Sequence, residues 1–517
     1  MRCFLYYIIH SLCCRLYRQE YLRFTGGASP KEVQERIRKD ILNNNKDTVY
    51  GRKHRFHECD HLSDFRRIIP LTAYEDYIPY IERMKGGEKE VLTKEEVLMF
   101  ELTSGSNSAK KYIPYTKHLK DEFQRGIKPW LYQLYQNVPA IKWGRSYWSI
   151  TPVTAKREYS TGGIPIGFEE DSEYFGAVEN YLMKQIIIAP REIKYEQDMN
   201  KFYYKTVLAL LGEKHLSLIS VWSPTLLLLL LEYLHAHEEE LLNQLNQKRR
   251  REISEAVKAR DYQRIWKKLS VISCWCDGNS AAYAKRIRKL FPKVMIIQPK
   301  GLLATEGIIS FPFVGEEAAR ISYRSHYYEF RSIDNGEFYE IDQLVTGKRY
   351  EVILTTGGGL YRYCLKDIVR IEGYREGIPL VRFVGRQDRV SDLFGEKLNE
   401  LFVIQQLKPV FDDESFYMLA PEEDSYILYV KSDKIIRAEK IDQLLRESFH
   451  YDYCRSLNQL KSLKIFILTG DPKKEYVEAC LKQGQRLGDI KFCTLTNKKG
   501  WNRVFTGYIC EDSSIEE

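Results

Sequence analysis

Between Glu101 and Thr116 the chain reads ELTSGSNSAKKYIPYT, a hydroxyl-rich turn that follows an apolar run and ends in two lysines. Thr103, Ser104, Ser106 and Ser108 offer hydroxyls, Lys110 and Lys111 bring positive charge, and Gly105 lets the backbone bend tightly. Such a set suits a polyphosphate, whose charge is spread over several oxygens. It is not a Walker loop, because no GK[ST] closes it and no second glycine precedes the lysine. The same residues also fit a solvated hairpin. The loop therefore needs partners elsewhere in the chain.

Three further stretches offer them. In Gly301–Gly307 (GLLATEG), Thr305 and Glu306 are expected at the C-terminal end of a parallel strand, where α/β sheets bind ligands. A carboxylate there could hold Mg²⁺ against phosphates, since magnesium takes oxygen ligands; the alternative is a helix-start glutamate. In Leu360–Val369 (LYRYCLKDIV), Asp367 lies between apolar residues, where an unpaired carboxylate is costly. Either it pairs with Arg362 or Arg370, or it accepts hydrogen bonds from ligand hydroxyls such as those of a ribose. The last is a polar run, Arg386–Glu400, with Lys397 and Glu400 late in it.

These residues need elements to hold them. Ser29-Pro30-Lys31-Glu32 is a capping box, with Val33, Ile37 and Ile41 on one face of the helix behind it. Short helices over Thr72–Met84 and Thr93–Val97 lead to the loop, and Lys117–Tyr135 is helical after it. Tyr147–Pro152, Ile186–Pro190 and His215–Val221 read as strands, and Asn200–Gly212 and the leucine run after Pro224 as helices. Residues 160–176 are a glycine-rich loop. Glu238–Lys268 reads as a peripheral helical hairpin, with Lys248–Arg251 on its solvated face. From Leu269 strand, helix (Ser280–Leu290) and strand follow at the spacing of a parallel βαβ unit. Tyr327–Glu340, Arg349–Thr356, Leu360–Arg362, Val369–Gly373 and Leu380–Val384 then look antiparallel.

A chain of 517 residues exceeds one core, so more than one domain is expected. The predicted fold is α/β: a large N-terminal domain over 1–385 with parallel or mixed sheets, helices and antiparallel strands, a hinge at 386–400, and a small mobile α+β domain over 401–517. The net charge of +8 is diffuse and favours anionic small molecules; no nucleic-acid module is present. The eleven cysteines form no CxxC pair, which argues against zinc, and their odd number without a secretion signal points to reduced thiols in a cytoplasm. The apolar N-terminus (MRCFLYYIIHSLCCRLYRQEYLRF) is read as an amphipathic helix docked on the body in preference to a membrane anchor.

The order of these elements resembles the Gretchen Hagen family of acyl-acid amido synthetases, auxin-responsive plant enzymes with bacterial relatives in the adenylate-forming superfamily. The likeness runs from about Asn45 to the C-terminus. It is carried by TSGSNSAKKYIPYT, YWSITP, GIPIGFEEDSEYFG, QPKGLLATEG, LYRYCLKDIV and FVGRQDRVSDLFGEK. The resemblance implies that Thr103, Ser104, Gly105, Ser106 and Lys111 form the phosphate loop. It implies that Leu302, Ala304 and Thr305 contact adenine, that Glu306 holds Mg²⁺, and that Tyr363, Asp367 and Arg386 bind the nucleoside. Lys491, in GQRLGDIKFCTL, would reach the reacting phosphate. Tyr147, Trp148, Trp222 and Ser223 occupy places that line the acyl pocket in relatives, although aromatic residues are more often core than pocket.

The implied reaction has two steps. A carboxylate attacks the α-phosphate of Mg·ATP to give an acyl-adenylate and pyrophosphate; an amine, such as that of an amino acid, then displaces AMP. Rotation of the small domain about the hinge would remodel the site between steps. Leu302 stands where plant members have an aromatic, Asn107 and Ser108 where Thr and Gly are frequent, and Cys364 and Lys366 where Arg and Gly are usual. If that last position needs a positive φ, lysine there costs about 1 kcal/mol. Two alternatives stay open: a ligase that hands the acyl group to coenzyme A or another thiol, and a nucleotide-binding member that no longer catalyses. The identity of acid and amine is not legible.

Overall fold

The computed structural model describes residues 2–510 except 104–110, 150–157, 168–176, 189–192, 194–195, 197, 388–389, 413–414, 433–435, 484 and 486–489. The chain divides into two compact units. The first comprises Met1–Cys276, Ala284–Leu365 and Val369–Phe383, and the second Asp277–Tyr283, Lys366–Ile368 and Val384–Glu517.

A parallel sheet of five strands lies within the first unit, in the order Ile187–Ile188, Arg145–Trp148, Leu216–Ser220, Val271–Ser273, Ile296–Gln298. Its last two strands flank the helix Ala281–Leu290, as the βαβ spacing predicts. The buried leucines of Pro224–Ala236 pack with the helix Met199–Gly212. A second sheet runs Ser310–Phe311, Ala319–Ile321, Ile378–Arg386, Tyr363–Arg375, Arg349–Thr355, Tyr327–Ser332, Phe338–Tyr339. A mixed sheet joins Lys111–Tyr115, Met99–Thr103, Pro165–Ile166 and Glu158–Tyr159. Taken alone, the second unit has a sheet in the order Tyr417–Glu422, Ser425–Val430, Lys464–Leu468, Gly507–Cys510, with helices that include Glu400–Leu407 and Ala438–Arg446. This mixed α/β architecture is the predicted one.

The apolar N-terminus is the helix Arg2–Thr25, which buries Cys13, Cys14, Tyr17 and Phe24. Phe24 packs 4.8 Å from the ring of Phe311, and the Tyr323 hydroxyl donates to its carbonyl at 2.9 Å. His10 is fully buried and donates from Nε2 to Gly144 O at 3.1 Å. Burial holds its imidazole down at about 4, with Lys142 adding to the effect and the bond to Gly144 opposing it. Among the described residues no helix is long and apolar enough to cross a membrane. The next helix, Pro30–Asn45, starts as predicted, with Ser29 accepting from Glu32 N.

Three sequence expectations need correction. Thr93–Val97 is not helical, because side chains hold its backbone in an irregular path: Thr93 Oγ1 accepts from Glu95 N, and Asn45 Oδ1 from Lys94 N. Lys248–Arg251 is not all solvated: Arg249 is buried and donates to Leu211 O and Ile265 O at 2.8 and 2.9 Å, tying its helix to the body. Leu360–Arg362 is not a strand. Arg362 has φ 47°, and the strand begins only at Tyr363.

Buried charge explains the last case. Arg362 Nε donates to Glu329 Oε2 at 2.8 Å, and Nη1 to Arg66 O and Ile69 O at 3.0 and 2.8 Å. Arg66 Nε donates to the other oxygen of Glu329 at 2.9 Å. Arg362 and Glu329 are both buried, and the left-handed backbone accompanies a network in which each charge is paired and hydrogen-bonded.

Two measurements check these contacts. Because the folded value of His10 lies below the ordinary one, its contribution is complete above about pH 6.5 and is lost as pH falls toward 4. Urea unfolding should lose about 2 kcal/mol between pH 7 and pH 5 from this group, and His10→Gln should flatten that slope. Glu329→Ala, which strands Arg362 in the interior, should cost about 3–5 kcal/mol, and adding Arg362→Met should recover part of it.

Candidate functional site

Glu306 does not end a parallel strand. That strand stops at Gln298, and Gly301, with φ 71° and no room for a Cβ against Ser310 O, turns the chain away. Thr305 and Glu306 instead form the tip of a small antiparallel hairpin, Leu303–Ala304 against Gly307–Ile308. Its main chain is held from several sides. Tyr115 Oη donates to Thr305 O at 2.6 Å, Leu302 N to Ser310 Oγ at 3.0 Å, and Tyr328 Oη to Ile308 O at 2.7 Å. Ile308 N donates to His326 Nε2 at 3.1 Å, which leaves the ring proton on Nδ1, donating to the buried Glu122 carboxylate at 3.0 Å. Gly357 N donates to both oxygens of Glu122, at 2.9 and 3.1 Å. A Cβ on Gly307 would come within 2.8 Å of His326 Nε2 and of Leu354 Cδ2, so only glycine fits there.

Tyr363 meets this tip. Its hydroxyl donates to Glu306 Oε1 at 3.4 Å, while its strand start is pinned by Thr72, whose N donates to Arg362 O and whose O accepts from Cys364 N. Glu306 and Tyr363, called from separate motifs, are thus neighbours. Leu302 and Ala304 pack partly buried against the core beside them. Lys111 pairs in register with Thr103, and its Nζ lies 5.4 Å over the Tyr74 ring. Ser104, Gly105 and Ser106 lie outside the described residues.

The remaining nucleotide candidates belong to the second unit. Asp367 is buried and faces Arg386 Nη1 at 3.4 Å. The arginines expected from proximity are committed elsewhere: Arg362 to Glu329, and Arg370 to Glu372 at 2.7 Å. Arg386 reaches Asp367 because the strand Ile378–Arg386 returns alongside Tyr363–Arg375, and Gln387 N donates to Lys366 O at 2.7 Å. Lys366 has φ 63°, the left-handed conformation anticipated for a glycine position. Lys491 is exposed, and its carbonyl accepts from Tyr476 Oη at 3.1 Å; nearby Thr494 N donates to the buried Glu400.

The acyl candidates divide between the two faces of the parallel sheet. Tyr147 points to the face covered by Thr206, and burial pushes its hydroxyl far above the usual phenol range. Trp148 and Trp222 come together on the other side, around Lys300. Ser223 shares a 2.6 Å hydrogen bond with Thr225. Lys300, Gly307, His326 and Tyr115 were missed in the sequence. Lys300, Gly307 and Tyr115 lie within quoted motifs without having been singled out, Lys300 as a lysine inside the apolar run IIQPKGLL, and His326 lies in none.

As for magnesium, no group of three or more metal-type ligands occurs among the described residues. A single carboxylate on an anchored tip nevertheless fits an ion that takes its other ligands from phosphates and water.

Comparison with known proteins places these features. The profile of the GH3 family N-terminal domain matches residues 26–259 and that of the GH3 family central domain residues 320–386, together more than half of the chain. The indole-3-acetic acid-amido synthetase GH3.4 of Arabidopsis thaliana is 22% identical over 426 residues, covering 72% of this chain and 70% of its own. The jasmonoyl–L-amino acid synthetase JAR4 of Nicotiana attenuata is 22% identical, covering 71% of each. The solved AtGH3.15 acyl acid amido synthetase, in complex with 2,4-DB, superposes with a TM-score of 0.79 at 16% identity, over 97% of both chains. The fold is that of an acyl acid amido synthetase, and the chain belongs to the GH3 family.

Proposed function

We propose that the chain is an ATP-dependent acyl-acid amido synthetase, which joins a small carboxylic acid to an amine, most naturally an amino acid, through an acyl-adenylate. The observation that carries this reading is the anchored Glu306 tip with Tyr363 upon it, since two separately called motifs meet there. The similarity to named amido synthetases supports the same class of reaction. None of the eleven cysteines is in a disulfide among the described residues, which supports a cytoplasmic setting.

The residues divide the work as follows. Glu306 would hold Mg²⁺, which would supply positive charge against the phosphates. Thr103, Ser104, Gly105, Ser106 and Lys111 receive the phosphates; Leu302, Ala304 and Thr305 face the base. Tyr363, Asp367 and Arg386 fix the nucleoside, with the Arg386 guanidinium balancing the Asp367 carboxylate. Lys491 stabilises the charge that develops on the transferred phosphate. Little covalent chemistry falls to the protein, so positioning and charge account for the rate. A second reading, a nucleotide binder without turnover, is favoured only by Lys366, whose left-handed backbone strains the motif that carries Asp367.

Pyrophosphate release against a panel of carboxylic acids, followed by addition of amino acids and mass analysis of the product, tests the proposal. An acid-dependent release and an amide product are expected; a thioester formed with coenzyme A, or ATP binding without release, would overturn it. Glu306→Gln should lower kcat for release by roughly a hundredfold or more and raise the magnesium requirement. Lys491→Ala should slow adenylation far more than it weakens ATP binding; equal losses would remove its transition-state role.

A further inference from the structure

Parallel strands in register carry their side chains in rows, and the last row of the five-stranded sheet is unusual. Trp148 pairs with Ser220, Ser220 with Ser273, and Ser273 with Gln298, so the four side chains share one face. Two residues back on that face stand Ser146, Leu218, Val271 and Ile296, so the face turns from mainly apolar to polar only at its C-terminal edge. In the last row Gln298 is 1% exposed, and neither Nε2 nor Oε1 has a hydrogen-bond partner among the described residues. Ser273 Oγ and Trp148 Nε1 are buried in the same state. Lys300, 5% exposed, donates from Nζ to Ser220 Oγ at 2.5 Å and lies 4.8 Å from the Trp222 ring, 5.7 Å from that of Trp148 and 5.8 Å from that of Trp130.

A wholly apolar acyl group would leave this row as it is, with the Gln298 amide held away from water at a cost. We propose that the row is the far end of the acyl pocket and selects an acid with a second oxygen function, a carboxylate or hydroxyl, remote from the carboxyl that is activated. Lys300 and Gln298 Nε2 donate to that oxygen, Gln298 Oε1 accepts from it when it is a hydroxyl, and the indoles form walls for a flat spacer. This inference rests on the synthetase reading and adds the substrate class to it.

The test uses the full chain with benzoate, 4-hydroxybenzoate and benzene-1,4-dicarboxylate. Calorimetric binding without ATP reads the pocket whether or not the chain turns over. At least one of the two difunctional acids should bind about tenfold or more tightly than benzoate. Lys300→Met should lower dicarboxylate affinity at least about tenfold more than benzoate affinity, abolishing the dicarboxylate's advantage. Lys300→Gln, which keeps a donor without the charge, should lose the dicarboxylate preference and retain that for the hydroxy acid. Equal affinity for all three acids would overturn the proposal. So would an equal loss for benzoate and dicarboxylate in Lys300→Met, which would place the lysine on the reacting carboxylate. Pyrophosphate release separates the two readings. No release from any acid, despite the binding preference, would fell the synthetase reading alone; release from benzoate without preference would fell the substrate class alone.

Discussion

An arginine buried against a glutamate, in a backbone conformation that arginine ordinarily avoids, fixes the geometry of the first unit's candidate site. Arg362 is costly twice over, once for the desolvated guanidinium and once for φ 47°. Both costs are offset locally: Glu329 takes the charge, the carbonyls of Arg66 and Ile69 take the remaining donors, and Thr355 Oγ1 accepts from Arg362 N. The kink decides where the long strand begins. It turns the chain so that Tyr363, one residue later, lies beside Glu306 instead of continuing from the loop before it.

The parallel sheet obeys a different constraint. Its strands are short and mostly buried, and their interior is built mainly from Ile, Leu and Val, with Ser217 satisfied by the carbonyls of Ile141 and Arg145, and polar side chains gather at the C-terminal ends. There the main chain leaves the sheet and glycine takes over, at Gly301, to send the polypeptide into the hairpin. Lys300 and the Glu306 tip both follow the strand Ile296–Gln298, whereas Trp148 and Trp222 come from the ends of two other strands of the same sheet.

Much of this order was legible in the sequence, and the failures have identifiable causes. The βαβ unit around Ala281–Leu290 was readable because an amphipathic helix between two apolar runs has few other folds. The hairpin of Glu306 was not, since two-residue strands leave no periodicity and the run from Lys293 looks like one continuous strand. The partner of Asp367 was sought among neighbours in sequence, whereas a return strand supplies Arg386 from nineteen positions further on. Thr93–Val97 resembles a capped helix, but its cap hydroxyl and Asn45 capture the backbone first. Arg249 shows the limit of charge runs as a guide: one residue of four turned inward, and nothing in KRRR says which. The family motifs named most site candidates, yet the meeting of Glu306 and Tyr363 also depends on His326, which lies in none of those motifs, and on Tyr115 and Arg362, which lie within two of them but were not named as site residues.

The hairpin that presents Glu306 is gripped almost wholly by its carbonyl and amide groups: Thr305 through its oxygen, Ile308 through both nitrogen and oxygen, Leu302 likewise. A perch built this way is indifferent to most of the side chains it displays. Diverging descendants could exchange the residues around the acid, and so retune what the tip greets, while the acid itself keeps its station; only the glycine crowded by imidazole and leucine is denied that freedom.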